Sequence, residues 1–130
     1  MTIFEKIIEG SIPAYKVAED DQYLAFLDIN PVKKGHTLVI PKKPVNYIFD
    51  LEDDLLAGLQ LFAKRVAHAV EANVECERIG VAVVGLEVPH THIHLIPIDS
   101  VADLSFANPK VKLTEKEFQD LQSRIRASFK

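Results

Sequence analysis

Cysteine is almost missing from this chain: Cys76 is the only one in 130 residues. A lone cysteine excludes an internal disulfide framework and a Cys-x-x-Cys zinc site, and it points to the cytosol. No apolar run approaches the ~20 residues that a membrane-spanning helix needs. The opening Met1-Thr2-Ile3-Phe4-Glu5-Lys6 lacks a basic stretch before an apolar core, so no signal peptide is expected. An excess of positive charge is missing as well, with 15 Lys and Arg against 19 Asp and Glu and a net charge of −4. A general nucleic-acid binder carries a basic face, so neither nucleic acid nor membrane is expected as a partner. Lys33, Lys34, Lys42 and Lys43 make only a local cluster. It is solvated loop charge or, beside a pocket, a device for steering an anionic small ligand. Repeats, linkers and low-complexity tracts are absent too. What remains suits one domain over residues 1–130, with an ordinary globular composition of 48% apolar and 26% charged residues.

The pattern predicts an α+β layer. Ile3 to Glu9 reads as a short helix with Phe4, Ile7 and Ile8 on its apolar side, stopped by Gly10 and Pro13. Tyr15–Glu19 and Gln22–Ile29 read as a hairpin turning at Asp20-Asp21, and Thr37–Ile40 as a short buried strand ended by Pro41. Asp50 to Ala72 is the long helix, because Leu51, Leu55, Leu59, Phe62, Val66 and Val70 recur at helical spacing. Ile79 to Val84 is β-rich and almost wholly apolar, which predicts a central strand. Ser100 to Pro109 shows no period. Thr114 to Phe129 reads as a last helix, opened by a Thr114/Glu117 capping box.

Against this background one run stands out: His90-Thr91-His92-Ile93-His94-Leu95-Ile96-Pro97-Ile98 holds three of the five histidines. A strand sends alternate side chains to one face, so the three imidazoles form a row opposite Thr91, Ile93 and Leu95. Imidazole can be nucleophile, base, acid or metal ligand near neutral pH. Three readings stay open on spacing alone. One is zinc, completed by His36, Asp28 or Glu87. Another is a hydrogen-bonded structural cluster. The third is metal-free catalysis, in which one neutral ring attacks phosphorus while its neighbours hold the phosphoryl oxygens or protonate the leaving group.

The run resembles the signature of the histidine triad (HIT) nucleotide hydrolases and transferases. Ile3-Phe4-Glu5-Lys6-Ile7-Ile8, Ile12-Pro13, Leu24-Ala25-Phe26-Leu27-Asp28-Ile29, and His36 followed by Leu38-Val39-Ile40-Pro41-Lys42 resemble the opening of its purine-nucleotide-binding (HINT-like) branch, in matching order and spacing. The likeness spans about residues 3–98 and leaves 110–130 as a helical extension. It implies a HIT-like fold: an antiparallel sheet of about five strands, one long helix, and short N-terminal and C-terminal helices. It implies that His92 attacks the α-phosphorus while the carbonyl of His90 holds its other nitrogen. His94 would contact phosphate oxygens, and His90 and His36 would pair behind the nucleophile. Asp28 would accept from the ribose hydroxyls. Ile3, Phe4, Ile7, Ile12, Phe26 and Ile29 would wall the purine; without the resemblance these apolar residues read as core. It also implies a homodimer joined through the strand near Val81 and the long helix, with no metal or other cofactor required.

One segment departs from the branch. The family usually has Gly-Gln-Ser or Gly-Gln-Thr before the triad; here stand Gly85-Leu86-Glu87-Val88-Pro89. Glu87 puts a carboxylate where a hydroxyl is expected, near the phosphate. It must turn away, take a proton, or pair with a cation or the imidazoles, and beside an imidazole it would raise that ring's pKa. The resulting expectation is a hydrolase that cleaves a nucleoside 5′-monophosphate from a P–N or P–O linked group through a nucleotidyl-histidine. Dinucleoside polyphosphate hydrolysis and a nucleotide-binding regulator with little turnover are the alternatives. His68 and Cys76 read as surface and packing residues.

Overall fold

Strand Tyr23–Leu27 is buried at every position, and its alternation explains why. Tyr23, Ala25 and Leu27 join a cluster of 19 buried residues on one side of the sheet, while Leu24 and Phe26 join a cluster of six on the other. Both faces of the sheet are therefore covered along this strand. The computed structural model describes residues 1–130. In chain order the elements are α1 (Ile3–Glu9), β1 (Lys16–Glu19), β2 (Tyr23–Leu27), β3 (Thr37–Pro41), a 3-10 turn (Ile48–Asp50), α2 (Asp53–Glu71), β4 (Arg78–Ala82), β5 (Ile93–Ile98), a second 3-10 turn (Val101–Leu104) and α3 (Glu115–Ser128). The five strands form one antiparallel sheet in the order β1-β2-β3-β5-β4, the α+β arrangement the sequence predicts.

Local chemistry sets the element ends. Thr2 and Glu5 cap α1 reciprocally, and Gly10 closes it at φ +89°, a left-handed backbone that favours glycine. Asp20 Oδ1 accepts from the N–H groups of Gln22 and Tyr23, both at 2.8 Å, and so closes the β1–β2 turn. The Thr114/Glu117 box opens α3. The long helix is shorter than its pattern: Ile48–Asp50 forms a separate 3-10 turn, and α2 begins at Asp53 with Asp53 and Asp54 in its first turn.

On the thicker side α2 buries Leu59, Phe62, Val66 and Val70 against the sheet. Helix α3 docks beside it: Phe118 stacks on Tyr15 at 4.8 Å and Gln122 Nε2 donates to the Lys16 carbonyl at 2.9 Å. Phe4 and Ile7 of α1 supply the thinner layer on the opposite face.

Two strand expectations need correction. The apolar stretch at Ile79–Val84 is not central: β4 pairs only with β5 and ends the sheet, and Val81, Val83 and Val84 are exposed. Its composition is not accounted for by burial within the chain. The ladder of β5 begins at Ile93 rather than His90, because the Thr91 N–H and hydroxyl both turn to the Val45 carbonyl, at 2.8 and 2.7 Å, instead of to a neighbouring strand.

Gly58 lies within α2, where alanine ordinarily favours the helix by ~1 kcal/mol. Here a Cβ would run into the Tyr23 hydroxyl, which donates to the Leu55 carbonyl at 2.9 Å. Gly58→Ala is therefore expected to destabilise the chain by ~1–2 kcal/mol in urea unfolding. Adding Tyr23→Phe should recover only part of that loss, since ring carbon Cζ also stands 2.9 Å from the added Cβ; a stabilised Gly58→Ala chain would contradict the contact.

Candidate active site

The three triad rings lie on the thin-layer side, opposite Ile93 and Leu95, which enter the thicker core. The ring of Phe4 meets His92 edge-on at 5.0 Å and His90 at 5.9 Å; His92 meets His94 at 4.9 Å. The one-face reading holds although His90 and His92 precede the ladder. All three are buried, as is His36.

Hydrogen bonds assign the protons. His92 Nδ1 lies 2.7 Å from the His90 carbonyl. A carbonyl only accepts, so Nδ1 carries the hydrogen and the neutral ring keeps a lone pair on Nε2. His90 Nε2 lies 2.8 Å from the Pro41 carbonyl, which fixes that ring the other way round. Its buried Nδ1 is left without a partner. His36 Nδ1 accepts from the Val32 N–H at 3.2 Å. Its Nε2 must then carry the hydrogen, and it donates to His94 Nδ1 at 2.9 Å. In the neutral ring the hydrogen of His94 therefore sits on Nε2. Neither His92 Nε2 nor His94 Nε2 is sealed in without a partner. Two adjacent rings thus offer opposite functions: a lone pair on His92 and an N–H on His94.

The expected His36–His90 pair is not formed. His36 pairs with His94, and His90 turns to the Pro41 carbonyl, because β3 stands next to β5 with Leu38 opposite His94. Glu87 is exposed and raises none of these rings; burial sets their charge state instead. Burial takes His94 down to about 3 and His36 down to about 4, and it lowers His90. Lys110 and His92 add to the effect on His36, and His36 and His92 to that on His94; Asp28 opposes it weakly at His94. At His90 the opposing carboxylate is Glu5 of α1.

Of the three fates open to Glu87, turning away is the one observed: its side chain is exposed and makes no ion pair. Gly85 stands at φ +73°, so the turn before the triad uses glycine for its backbone. Asp28 is half-buried. Its Oδ1 caps the Asn30 N–H at 2.8 Å and its Oδ2 lies 3.6 Å from His36 Nε2. The apolar residues divide. Phe4, Ile7 and Phe26 are core, Ile12 packs against them, and Ile3 and Ile29 are exposed. Of the basic cluster, Lys42 pairs with Glu19 and Lys33 with Asp103.

Asp28, His36 and His94 each bring a ligand atom within 4.8 Å of the others. A zinc ion needs ~2.0–2.1 Å to each nitrogen along its lone pair. The two imidazole nitrogens instead face each other 2.9 Å apart along a hydrogen bond. An ion would have to turn both rings, so the donor set fits the imidazole relay better than a metal.

Sequence reasoning missed Phe106. Its ring lies 4.7 Å from His94 and 6.2 Å from His36, in a stretch with no periodicity to flag it. The available signal was a lone aromatic in an aperiodic stretch. The Pro41 and Val45 carbonyls and the Val32 N–H were invisible because backbone groups leave no residue-type signature.

Residues 9–101 match the HIT domain family, and the chain belongs to it. It is 34% identical over 130 residues to the adenosine 5′-monophosphoramidase hnt1 of Schizosaccharomyces pombe, covering 98% of each chain. Among solved structures it resembles a HIT-like protein involved in cell-cycle regulation from Bartonella henselae, with TM-score 0.84 and 30% identity over 98% of this chain and 96% of that one. It also resembles a hypothetical histidine triad nucleotide-binding protein from Sulfolobus tokodaii, with TM-score 0.81 and 32% identity over 96% and 89% of the two chains.

The lowered pKa values set a pH dependence. Below pH ~6.5 the unfolded chain protonates imidazoles that the folded chain keeps neutral. Stability from His36 and His94 is thus complete above ~6.5 and falls as pH drops toward about 4 and about 3. The slope reaches ~1.4 kcal/mol per pH unit for each ring. Urea unfolding between pH ~7 and ~5 should show this loss, and a His36→Asn/His94→Asn chain should show less of it; equal slopes would refute the buried neutral pair.

Proposed function

We propose that this chain hydrolyses a nucleoside 5′-monophosphate, with a purine base, from a P–N linked group through a nucleotidyl-His92 intermediate. The observation that carries the reading is the pair of opposite tautomers. His92 Nε2 presents a lone pair, and His94 Nε2, 

fixed through His36, presents a hydrogen. Nε2 of His92 attacks the α-phosphorus. The His90 carbonyl on its Nδ1–H stabilises the positive charge that grows on the ring. The P–N bond breaks with its electron pair on the departing amine, which takes a proton from solvent. Water then attacks phosphorus, loses a proton to solvent, and the ring recovers its lone pair.

His94 acts here as a hydrogen-bond donor to a non-bridging oxygen. It is a poor general acid, because a neutral imidazole that gave up its only N–H would become an anion. In this reading Asp28, half-buried beside His36, accepts from the ribose hydroxyls, and exposed Ile3 and Ile29 with the edge of the Phe4 layer form the base wall. No metal or other cofactor is needed for these steps. The fission yeast relative, an adenosine 5′-monophosphoramidase that aligns along nearly the whole chain, supports the P–N linkage over a dinucleoside polyphosphate.

His92→Ala should lower turnover of adenosine 5′-phosphoramidate at least ~10³-fold, and His94→Ala ~10²–10³-fold. Chelator should leave the wild-type rate unchanged, and diadenosine polyphosphate should be the poorer substrate. Mass spectrometry of quenched reactions should find the nucleotidyl adduct on the peptide holding His92. A His92→Ala chain with normal turnover would end the proposal.

We also propose a cytosolic homodimer built through β4. Its outer edge is unpaired, and Val81, Val83 and Val84, with Leu61 of α2, are exposed apolar side chains. Wild-type chain should sediment at twice its 14.6 kDa mass and Val81→Asp as a monomer; a monomeric wild type would refute this interface.

A further inference from the structure

The segment after β5 runs back over two of the histidines. The ring of Phe106 lies edge-on to His94 at 4.7 Å and tilted to His36 at 6.2 Å. These are the two imidazoles joined by the 2.9 Å bond from His36 Nε2 to His94 Nδ1. Aromatic rings packed this closely leave no room for water between them. His36 is 2% exposed and His94 8%, so the bond between them is dry. Phe106 is half-exposed and belongs to neither buried cluster. The sheet core does not need it; the histidine pair is what it covers.

The loop that carries Phe106 is tied down. The Lys110 ammonium donates to the Phe106 carbonyl and Asn108 Nδ2 to the Ala102 carbonyl, both at 2.8 Å. The Val111 N–H donates to the Pro31 carbonyl at 2.8 Å, and Lys33 pairs with Asp103 at 3.8 Å. Phe106, Asn108 and Lys110 all lie beyond the residues that match the HIT domain, 9–101. The cover is therefore built from sequence outside the shared domain. Few charged or titratable groups face the pair. His36 faces Lys110, His92, His94 and Asp28, whose Oδ2 is 3.6 Å from its Nε2; His94 faces His36, His92 and Asp28. Asp28 is the one carboxylate among them, and desolvation outweighs it at His94.

We propose that Phe106 is a positioning residue: its ring seals the His36–His94 bond from water and so holds the His94 hydrogen on Nε2. The use of that hydrogen on a phosphate oxygen rests on the nucleotidyl-transfer reading above; the seal does not. Water reaching the pair would compete for the His36 Nε2–H and for His94 Nδ1, and would free the His94 ring to turn or change tautomer. It would also solvate an imidazolium, which burial now disfavours. Leucine at this position would still exclude water, and alanine would not.

The test follows the imidazoles by NMR titration of the full chain as wild type, Phe106→Ala and Phe106→Leu, with His36→Asn and His94→Asn to assign the signals. In Phe106→Ala the midpoints of His36 and His94 should rise by at least ~1 pH unit, while Phe106→Leu should stay within ~0.5 unit of wild type. The same chains are assayed for kcat on adenosine 5′-phosphoramidate. The ratio of Phe106→Ala to wild type should fall at least ~3-fold between pH ~7.5 and ~5.5, and leucine should restore most of it. Wild-type midpoints in Phe106→Ala would refute the seal and leave the nucleotidyl-transfer reading standing. Raised midpoints with a pH-independent kcat ratio would refute the positioning role. Raised midpoints in a protein whose wild type has no turnover would support the seal and overturn the hydrolase reading.

Discussion

The 2.7 Å bond between His92 Nδ1 and the carbonyl of His90 is the constraint on which the site depends. A backbone carbonyl cannot donate or ionise, so it forces one tautomer on His92 at every pH where the ring is neutral. It can be in place only if the chain from Val88 to His92 keeps its shape. The His90 N–H donates to the Val88 carbonyl at 2.8 Å, the His90 ring is tied to Pro41, and Thr91 is tied twice to Val45. The loop after β3 therefore acts as a template for the segment before β5. The His92 ring is aimed by peptide groups that no side-chain substitution removes directly.

Burial then decides the charge state of the surrounding rings. Asp28 and Glu5 both favour protonated imidazole, and both lose to desolvation. The outcome matters chemically: a cationic His94 would carry a hydrogen on Nδ1 as well, oppose the His36 Nε2–H and break the bond that holds its ring. Keeping the site dry thus preserves a directed dipole where a charge would have been less specific. Glu87 stands outside this environment, so it adds no buried negative charge beside the imidazoles.

Much of the fold could be read from side-chain pattern. The stripe on α2, the Thr114/Glu117 box and the Asp20 turn each depend on residue type at fixed spacing, and each stands where the pattern puts it. The strand at Ile79–Val84 was misplaced because an apolar run reports that both faces avoid water, not whether a neighbour in the same chain covers them. The triad itself was legible because period two is shared by strands and by the extended approach to β5. The partner of His36 was not legible, since pairing between β3 and β5 is a matter of register. Phe106 lay in a segment whose position is set by backbone bonds to Pro31 and Ala102.

The two faces of the sheet explain why the site lies where it does. On one face α2 and α3 complete a cluster of 19 buried residues, leaving no room for a ligand. On the other, a seven-residue helix and a six-residue cluster cover only part of the same sheet. The uncovered remainder is flanked by Phe4 on one side and Phe106 on the other, with the histidines between them. Strand alternation divides β5 between these surroundings: Ile93 and Leu95 anchor it to the thick layer, and His94 is thereby fixed facing the thin one. The same register that buries the isoleucine and leucine holds the imidazole still, so the packing that stabilises the domain also supplies the preorganisation its chemistry requires.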